Sequence, residues 1–286
     1  MANNDSTQEI VATPLTATTP AGKAVAAPRL SPREESWFVS VRVPIISVAA
    51  FLLLWQFGAR HMNPILMPTP TLVGSAFRDL ISRGVLQKAF FISLQDMSYG
   101  YFIAIAVGSV LGVLTGRFRT FEKVVSPYIS FFMATPTIAL VPLVIVWFGF
   151  SQSSRVFLVA IHAVWPVAIN TAMGIRVLSR LLRDVGWAYR LTESQFVRWV
   201  ALPSAVPYIL AGLRVALGRA VVGMIVAEMT MELTGLGGLV MVYGNAFKTA
   251  HLIAGVITSA VFAVFVSAMM DVVRDRFFPW IKGTSA

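Results

Sequence analysis

Six apolar runs dominate this sequence, each close to the ~20 residues that a helix needs to cross the hydrocarbon core of a bilayer. The chain is 57% hydrophobic and 13% charged, whereas soluble domains average about 45–50% apolar and about 25% charged residues. We therefore predict an all-α, polytopic membrane protein with six transmembrane helices in a membrane domain of residues 37–281. The predicted spans are residues 43–59, 92–115, 125–148, 156–175, 213–231 and 252–272.

A polar segment, residues 176–212, separates the fourth and fifth apolar runs. Its pattern predicts two short amphipathic helices joined by a turn. In the first helix the predicted apolar side comprises Val177, Leu181, Leu182 and Val185, and the predicted polar side comprises Arg180, Arg183 and Asp184.

The second helix of this segment has a clear start and stop. The Thr192 hydroxyl can accept from the Gln195 N–H while the Gln195 side chain reaches back, which forms a capping box. Proline disfavours helix in the residue before it, so we expect the helix to end before Pro203.

This segment resembles the cytoplasmic "EAA" loop of ABC importer permeases, which inserts into a cleft on a partner ATPase. The family pattern places Glu-Ala-Ala on residues 184–186, a glycine on Arg190 and a phenylalanine on Phe196, followed by Leu202-Pro203. The alternative is an ordinary capped helical hairpin without a partner. The resemblance implies that the ATPase-coupling residues are Asp184, Gly186, Arg190, Thr192, Phe196, Leu202, Pro203 and Pro207.

Arg190 departs from the family pattern at a position where glycine matters. Glycine adopts a positive φ at little cost, and a residue with a side chain does not. We therefore expect the turn either to shift to Leu191 and Thr192 or to take another shape.

The basic residues predict how the chain is oriented. If the N-terminus is cytoplasmic, 17 of the 23 Lys and Arg residues lie on the cytoplasmic side, Arg214 and Arg219 among them. The positive-inside rule then places both termini in the cytoplasm. The expected location is the inner membrane of the cell. The six basic residues on the other side are Arg60, Arg78, Arg83, Lys88, Arg155 and Lys248.

Two tails and one external loop complete the predicted organisation. Residues 1–36 are predicted to be a disordered cytoplasmic tail, and residues 282–286 a C-terminal tail. In the external loop of residues 60–90, Thr71 is expected to cap a surface helix over residues 72–82. The expected apolar side of that helix comprises Val73, Phe77, Leu80 and Ile81.

Polar groups and prolines inside the spans are candidates for a solute pathway, because such groups are costly in a bilayer. In the third span Pro136 and Pro142 free backbone carbonyls, which places Thr135 and Thr137 on the inner face of the bundle; a packing kink without a solute role is equally compatible. Asp96 lies near the outer end of the second span, within reach of water, and we expect it to have a structural role.

The fourth and fifth spans add three further candidates for the pathway. His162 and Asn170 share a helical face with Pro166, although a lone intramembrane histidine is more often an interhelical hydrogen-bond donor. Glu228 is expected to face a partner or water near an outer gate, and the alternative is an interfacial glutamate followed by a flexible loop.

No catalytic or metal-binding constellation is found in the sequence. A phosphate-binding loop needs Gly, four residues and then Gly-Lys-Ser/Thr, and this spacing does not occur. With no cysteine, thiolate metal sites are excluded. Nor is there a basic stripe interleaved with aromatics, so we expect no nucleic-acid partner.

The resemblance covers about residues 43–281 and implies a type I ABC importer permease of the nitrate, sulfonate and taurine branch. It implies a homodimer, separate ATP-binding subunits and an external solute-binding protein, with no cofactor on this chain because ATP binds the partner subunit. Permeases for pyrimidine precursors or aromatic acids are similar. A self-contained secondary transporter or channel is the alternative class, and a membrane enzyme is a remote third.

Overall fold

The computed structural model describes residues 37–178 and 180–278, and the predicted tails of residues 1–36 and 282–286 lie outside them. The all-α prediction is confirmed over the described residues. π-helical turns cover Val197–Ala201 and Glu228–Glu232. The helices are α1 (Trp37–Arg60), α2 (Pro70–Ser82), α3 (Val85–Arg117), α4 (Arg119–Ala134), α5 (Thr137–Phe148), α6 (Gln152–Arg176), α7 (Arg180–Ala188), α8 (Glu193–Phe196), α9 (Leu202–Ala227), α10 (Gly235–Asn245) and α11 (Thr249–Phe277).

Within the described part of the chain, five helices are long and apolar enough to cross a membrane, and the third predicted span is interrupted. Its two halves, α4 and α5, meet at 108°, and if they form one broken span the bundle has the six spans predicted. Pro136 explains the break, because a proline drives the preceding residue out of the helical region. Thr135 is accordingly extended, with ψ at 123°. Pro142 lies inside α5 without breaking it.

The core of the bundle is a close-packed seam of small residues between α3 and α6. A Cβ added at Gly108 or Gly112 would lie 2.7 Å from a backbone oxygen of α6. Gly100 and Gly116 are equally close to α6. Small residues of this kind let membrane helices approach closely, and the resulting van der Waals contact stabilises their association.

α6 also packs against α9, and glycines again mark the contact. Gly174 of α6 faces Ala205, and Gly212 of α9 faces Asn170. α6 is therefore the central helix, with α3 on one side and α9 on another. We call the end of this bundle that carries α7 and α8 the hairpin end, and the end that carries α10 the opposite end.

Gly112→Ala tests this seam. The new Cβ would lie 2.5 Å from Thr171 Cβ, and overpacking of this kind costs about 1–3 kcal/mol. We expect a lower melting temperature in detergent, measured by fluorescence-detected size exclusion after heating. Gly58→Ala is the matched control, because its Cβ would have nothing within 4 Å; equal melting temperatures of the two variants would contradict the seam.

The second helix predicted within residues 176–212 does not end before Pro203, contrary to the sequence prediction. A continuous run of helical residues, Glu193–Glu232, crosses the proline, so residues 202–212 are helical and continue into the fifth predicted span. Pro203 is the second residue of α9, directly after a π-helical turn. In that turn the Leu202 N–H bonds the Val197 carbonyl, so the turn contains one residue more than an α-helical turn.

The surface helix α2 exists as predicted, with a different cap. Thr69 accepts from the Leu72 N–H, so Thr69 caps the helix instead of Thr71, and Pro70 occupies its first turn. Ile81 is exposed, whereas Ala76 is buried beside Val73 and Leu80. The predicted apolar side is therefore confirmed at Val73, Phe77 and Leu80, and Ala76 belongs to it instead of Ile81.

α2 is tied to α11 through Asp79, which lies 3.2 Å from His251 Nε2 and 2.8 Å from Arg83 Nε. Desolvation opposes the charged form of Asp79, but the hydrogen bond with His251 and the positive charge of Arg83 together outweigh it. The pKa of Asp79 therefore lies below its usual value.

Candidate functional site

The hairpin consists of α7, α8 and the turn of residues 189–192 between them. The capping box predicted at Thr192 is confirmed: its hydroxyl accepts from the Gln195 N–H at 3.4 Å, and Gln195 Oε1 accepts from the Thr192 N–H at 2.9 Å. At the start of α8, the side chain of each of these two residues thereby accepts from the backbone N–H of the other. The turn enters α8 with a defined direction.

Arg190 itself adopts the left-handed conformation that the family's glycine would supply, with φ at 49°. Its N–H bonds the Trp187 carbonyl at 3.0 Å, and the Leu191 N–H bonds the Gly186 carbonyl at 3.1 Å. These two bonds are the Schellman pattern that ends helices at a left-handed residue. The turn therefore does not shift to Leu191 and Thr192, and Arg190 bears a cost of about 1–2 kcal/mol for its conformation.

Arg190→Gly should stabilise the end of α7 by about 0.5–1 kcal/mol, because glycine removes the strain but adds backbone entropy to the unfolded hairpin. We expect hydrogen exchange at the Leu191 amide to slow by about twofold to fivefold. Arg190→Ala is the control, since it removes the charge and keeps the Cβ. Equal slowing in both variants would show that the charge, and not the backbone, is responsible.

Gly186 and Phe196 form the interior of the hairpin. A Cβ at Gly186 would lie 2.6 Å from the Phe196 ring, so α7 approaches α8 this closely only with glycine at that position. Phe196 is half-buried and packs on a cluster that includes Leu178 and Ala205. Phe196, predicted as a coupling residue, therefore holds the hairpin together and presents little surface of its own.

The apolar side predicted for the first helix was partly wrong. Leu182 is half-buried, as predicted, in the cluster with Phe196, and Leu178 is buried beside it. Val177 and Val185 are exposed, and the side chain of Leu181 lies outside the described part of the structure. The buried residues lie four positions apart on the side that faces α8. The prediction assigned the stripe from α7 alone, without the partner helix that defines which side is covered.

Arg117, at the last turn of α3, fastens the hairpin to the bundle. It makes two hydrogen bonds to Glu193, at 2.7 and 2.6 Å, and its guanidinium lies 5.5 Å from the centroid of the Phe196 ring. A second contact nearby joins Arg176 to Glu122 at 2.8 Å. Bidentate pairs fix geometry as well as charge, so the hairpin and α3 are held in one orientation.

Two aromatic side chains that the sequence analysis missed form the outer surface of the hairpin. Trp187 is 89% exposed and Tyr189 is 76% exposed. Asp184 is exposed on the same helix, α7. Aromatic residues are enriched in the positions that dominate the binding energy of protein interfaces. The sequence signal that could have identified these two residues is their position in an otherwise charged segment. Leu202, Pro203 and Pro207 lie on α9, outside the hairpin.

A second region is a cavity of ≈ 190 Å³ beside the break between α4 and α5. Three of the predicted pathway residues, Thr135, Pro136 and His162, line it, together with Trp165 and Arg219. Thr137 begins α5, and its side chain lies outside the described part of the structure. Arg219 lies within α9 beside His162, so its assignment to a cytoplasmic segment was wrong.

The remaining predicted pathway residues lie elsewhere. Pro142 is exposed on α5. Asn170 donates to the Pro166 carbonyl at 2.8 Å and packs on Gly212, so it belongs to the contact between α6 and α9. Glu228 is fully buried at the opposite end of the bundle.

Glu228 joins three helices through a small polar cluster. The Ser93 hydroxyl donates to Glu228 Oε1 at 2.6 Å, and the Gly237 N–H donates to Oε2 at 2.9 Å. Ser93 in turn accepts from the Leu236 N–H at 2.9 Å. Glu228 thus faces the start of α10, and the alternative of an interfacial glutamate before a flexible loop is contradicted.

Asp96 is fully buried, in agreement with the structural role expected for it, and its carboxylate does not face water. Arg155 Nε donates to it at 2.6 Å, and the Gln152 amide donates at 2.8 Å. Arg155 also pairs with Glu232. A buried charge requires a charged partner and hydrogen bonds, and here α3, α6 and the turn after α9 supply them.

Glu228→Ala should destabilise the opposite end of the bundle, since it leaves Ser93 and the Gly237 N–H without their acceptor, at a cost of about 1–3 kcal/mol. We expect a lower melting temperature in detergent, whereas Glu228→Gln keeps an acceptor and should lose less. Equal stability of Glu228→Ala and the unmodified protein would contradict this structural role.

The architecture is that of a helical membrane permease: a bundle of spanning helices, a folded hairpin at one end and a polar cavity between helices. Residues 104–282 match the family described as "Binding-protein-dependent transport system inner membrane component". Because the match covers more than half of the chain, the protein belongs to this family of ABC importer permeases.

Relatives of known name lie in the nitrate and sulfonate branch. The putative aliphatic sulfonates transport permease protein SsuC of Bacillus subtilis is 29% identical over 244 residues, which cover 85% of this chain and 88% of that protein. The bicarbonate transport system permease protein CmpB of Synechococcus elongatus is 29% identical, with 85% and 88% covered. The nitrate import permease protein NrtB of the same organism is 26% identical, with 89% and 95% covered.

A solved structure supports the fold. A chain of the MetNI methionine ABC transporter in an inward-facing conformation matches with a TM-score of 0.54 at 20% identity, covering 71% of this chain and 96% of that chain. At this identity the likeness concerns the fold alone.

Proposed function

We propose that this protein is the permease subunit of an ATP-driven importer that moves a small anionic solute across the inner membrane by alternating access. Two copies form the pathway, two ATPase subunits bind the hairpins, and an external solute-binding protein delivers the solute. Both termini are cytoplasmic, which keeps the hairpin on the side where ATP is available.

The exposed aromatic surface of the preformed hairpin carries this proposal. Trp187 and Tyr189 project from a segment whose interior is already filled by Phe196, so a partner gains their apolar area without having to order the hairpin first. Preorganisation of this kind reduces the cost of association. A self-contained transporter or channel would leave this surface without a use.

Movement of the ATPase subunits reaches the spans through rigid contacts. Glu193 is held by Arg117 at the end of α3, and α8 continues through the π-helical turn into α9 without a break. A displacement of the hairpin therefore displaces α3 and α9 together. Alternating access by movement of rigid bundles is the general scheme for transporters of this kind.

The solute class is supported by the names of the relatives. Permeases for sulfonates, bicarbonate and nitrate all carry small anions. The riboflavin transport system permease protein RibX of Chloroflexus aurantiacus, 26% identical, shows that larger solutes occur among relatives. The ≈ 190 Å³ cavity favours the small ones, because drug-sized ligands occupy pockets of about 300–1,000 Å³.

Trp187→Ala tests the hairpin as the ATPase-binding surface. Loss of an aromatic hot spot costs about 2 kcal/mol or more, so we expect the affinity for the ATPase subunit to fall roughly 30-fold. The measurement is titration of the purified ATPase onto the permease in nanodiscs.

Trp147→Ala is the matched control, since Trp147 is an exposed tryptophan on α5, outside the hairpin. Its ATPase affinity should equal that of the unmodified protein. If Trp187→Ala binds the ATPase normally, the hairpin is not the docking surface. Solute uptake by the permease alone in ATP-free liposomes would favour a self-contained transporter instead.

A further inference from the structure

Arg219 lies near the middle depth of the bundle. It lines the same cavity as His162, and Gly223, one turn further along α9, packs against His162. His162 lies ten residues after the start of α6 at Gln152 and fourteen before its end at Arg176. At about 1.5 Å per residue this places it roughly 15 Å from one end of the helix and 21 Å from the other.

A guanidinium at this depth requires compensation. Arginine is always charged in proteins, and an ionised side chain within a span faces a partner charge or a water-filled cavity, not lipid. Among the residues that the structure describes, no carboxylate forms a salt bridge with Arg219. Its side chain is exposed on the surface of this single chain.

Arg155 shows what a structural arginine looks like in the same chain. It is buried between Asp96 and Glu232, and its charge is neutralised by them. Arg219 has neither this burial nor such a carboxylate partner in the described residues. The contrast indicates that the counter-charge of Arg219 comes from outside the described part of the structure, for which a bound anion is suited.

The walls of the cavity suit a small anion. Pro136, the N-cap of α5, lines it, so the positive end of the α5 dipole adds to the charge of Arg219. On another wall Trp165 stacks on Phe132 at 4.9 Å and 10°, which gives a flat, rigid apolar surface. Thr135 contributes a short polar side chain at the break.

We propose that this cavity is a binding site for a small oxyanion during its passage through the membrane, with Arg219 as the residue that selects negative charge. The proposal rests on the function proposed above. A guanidinium offers two parallel N–H donors to a planar or tetrahedral oxyanion such as nitrate, bicarbonate or a sulfonate. Neutral solutes gain nothing from it.

Quenching of Trp165 fluorescence tests the site without transport or partner proteins. The signal of Trp165 is obtained as the difference between the permease and its Trp165→Phe variant, in detergent at constant ionic strength. Iodide is the anionic quencher, and acrylamide is the neutral one. A positively charged cavity concentrates anions, so Arg219→Gln should lower the iodide quenching constant at least about threefold and leave acrylamide quenching unchanged.

Arg219→Lys is the matched control, because it keeps the charge and should retain most of the iodide quenching. Sodium nitrate, sodium bicarbonate and sodium methanesulfonate should each protect Trp165 from iodide in the unmodified protein, and protection should disappear in Arg219→Gln. Equal iodide quenching in the unmodified protein and Arg219→Gln would overturn the proposal, as would the absence of protection by all three salts.

The outcome is independent of whether the ATPase binds. If iodide quenching depends on Arg219 while the ATPase does not bind the hairpin, the anion site stands and the importer proposal falls. If the ATPase binds while the iodide quenching constant is the same with and without Arg219, the importer proposal stands and the anion site falls. A carboxylate of a second copy that neutralises Arg219 would give this second result.

Discussion

The close packing of α6 against α3 and α9 is the constraint on which the rest of this structure depends. In a bilayer the surrounding lipid is as apolar as the side chains, so helices associate through van der Waals contact and hydrogen bonds, not through the hydrophobic effect. The glycines of α3 bring its backbone against α6, and those of α6 and α9 do the same on the other side. Every functional residue described above is positioned by one of these three helices or by the segments attached to their ends.

Polar contacts lock the two ends of this packed unit. At the hairpin end Arg117 holds Glu193, and at the opposite end Arg155 holds Asp96 and Glu232. Such pairs contribute little net stability when buried, because desolvation offsets their attraction. Their effect is geometric: α3, α6 and α9 keep one register at both ends, which is what a unit that transmits displacement through a membrane requires.

Much of the fold was predictable because each helix carries its own signal. The apolar lengths identified the spans, and the capping box identified the start of α8 from local chemistry alone. What failed depended on partners that the pattern of one segment does not contain. The arginine that neutralises Asp96 lies 59 positions away, and Arg219 was counted among the cytoplasmic residues although the predicted fifth span, residues 213–231, contains it. Nothing in the sequence signalled the π-helical turn that lets the helix cross Pro203.

The helices around the cavity differ from the packed unit in a way that bears on mechanism. Among the described residues of α4 none is buried, and in α5 only Val141 and Val144 are. Exposed apolar side chains on these two helices therefore face lipid or, in the proposed homodimer, the second copy. Within one chain, few buried residues hold the α4 and α5 wall of the proposed anion cavity, whereas many hold the wall formed by α6 and α9. Access to Arg219 is then changed at least cost by moving α4 and α5, with the charge itself staying in place.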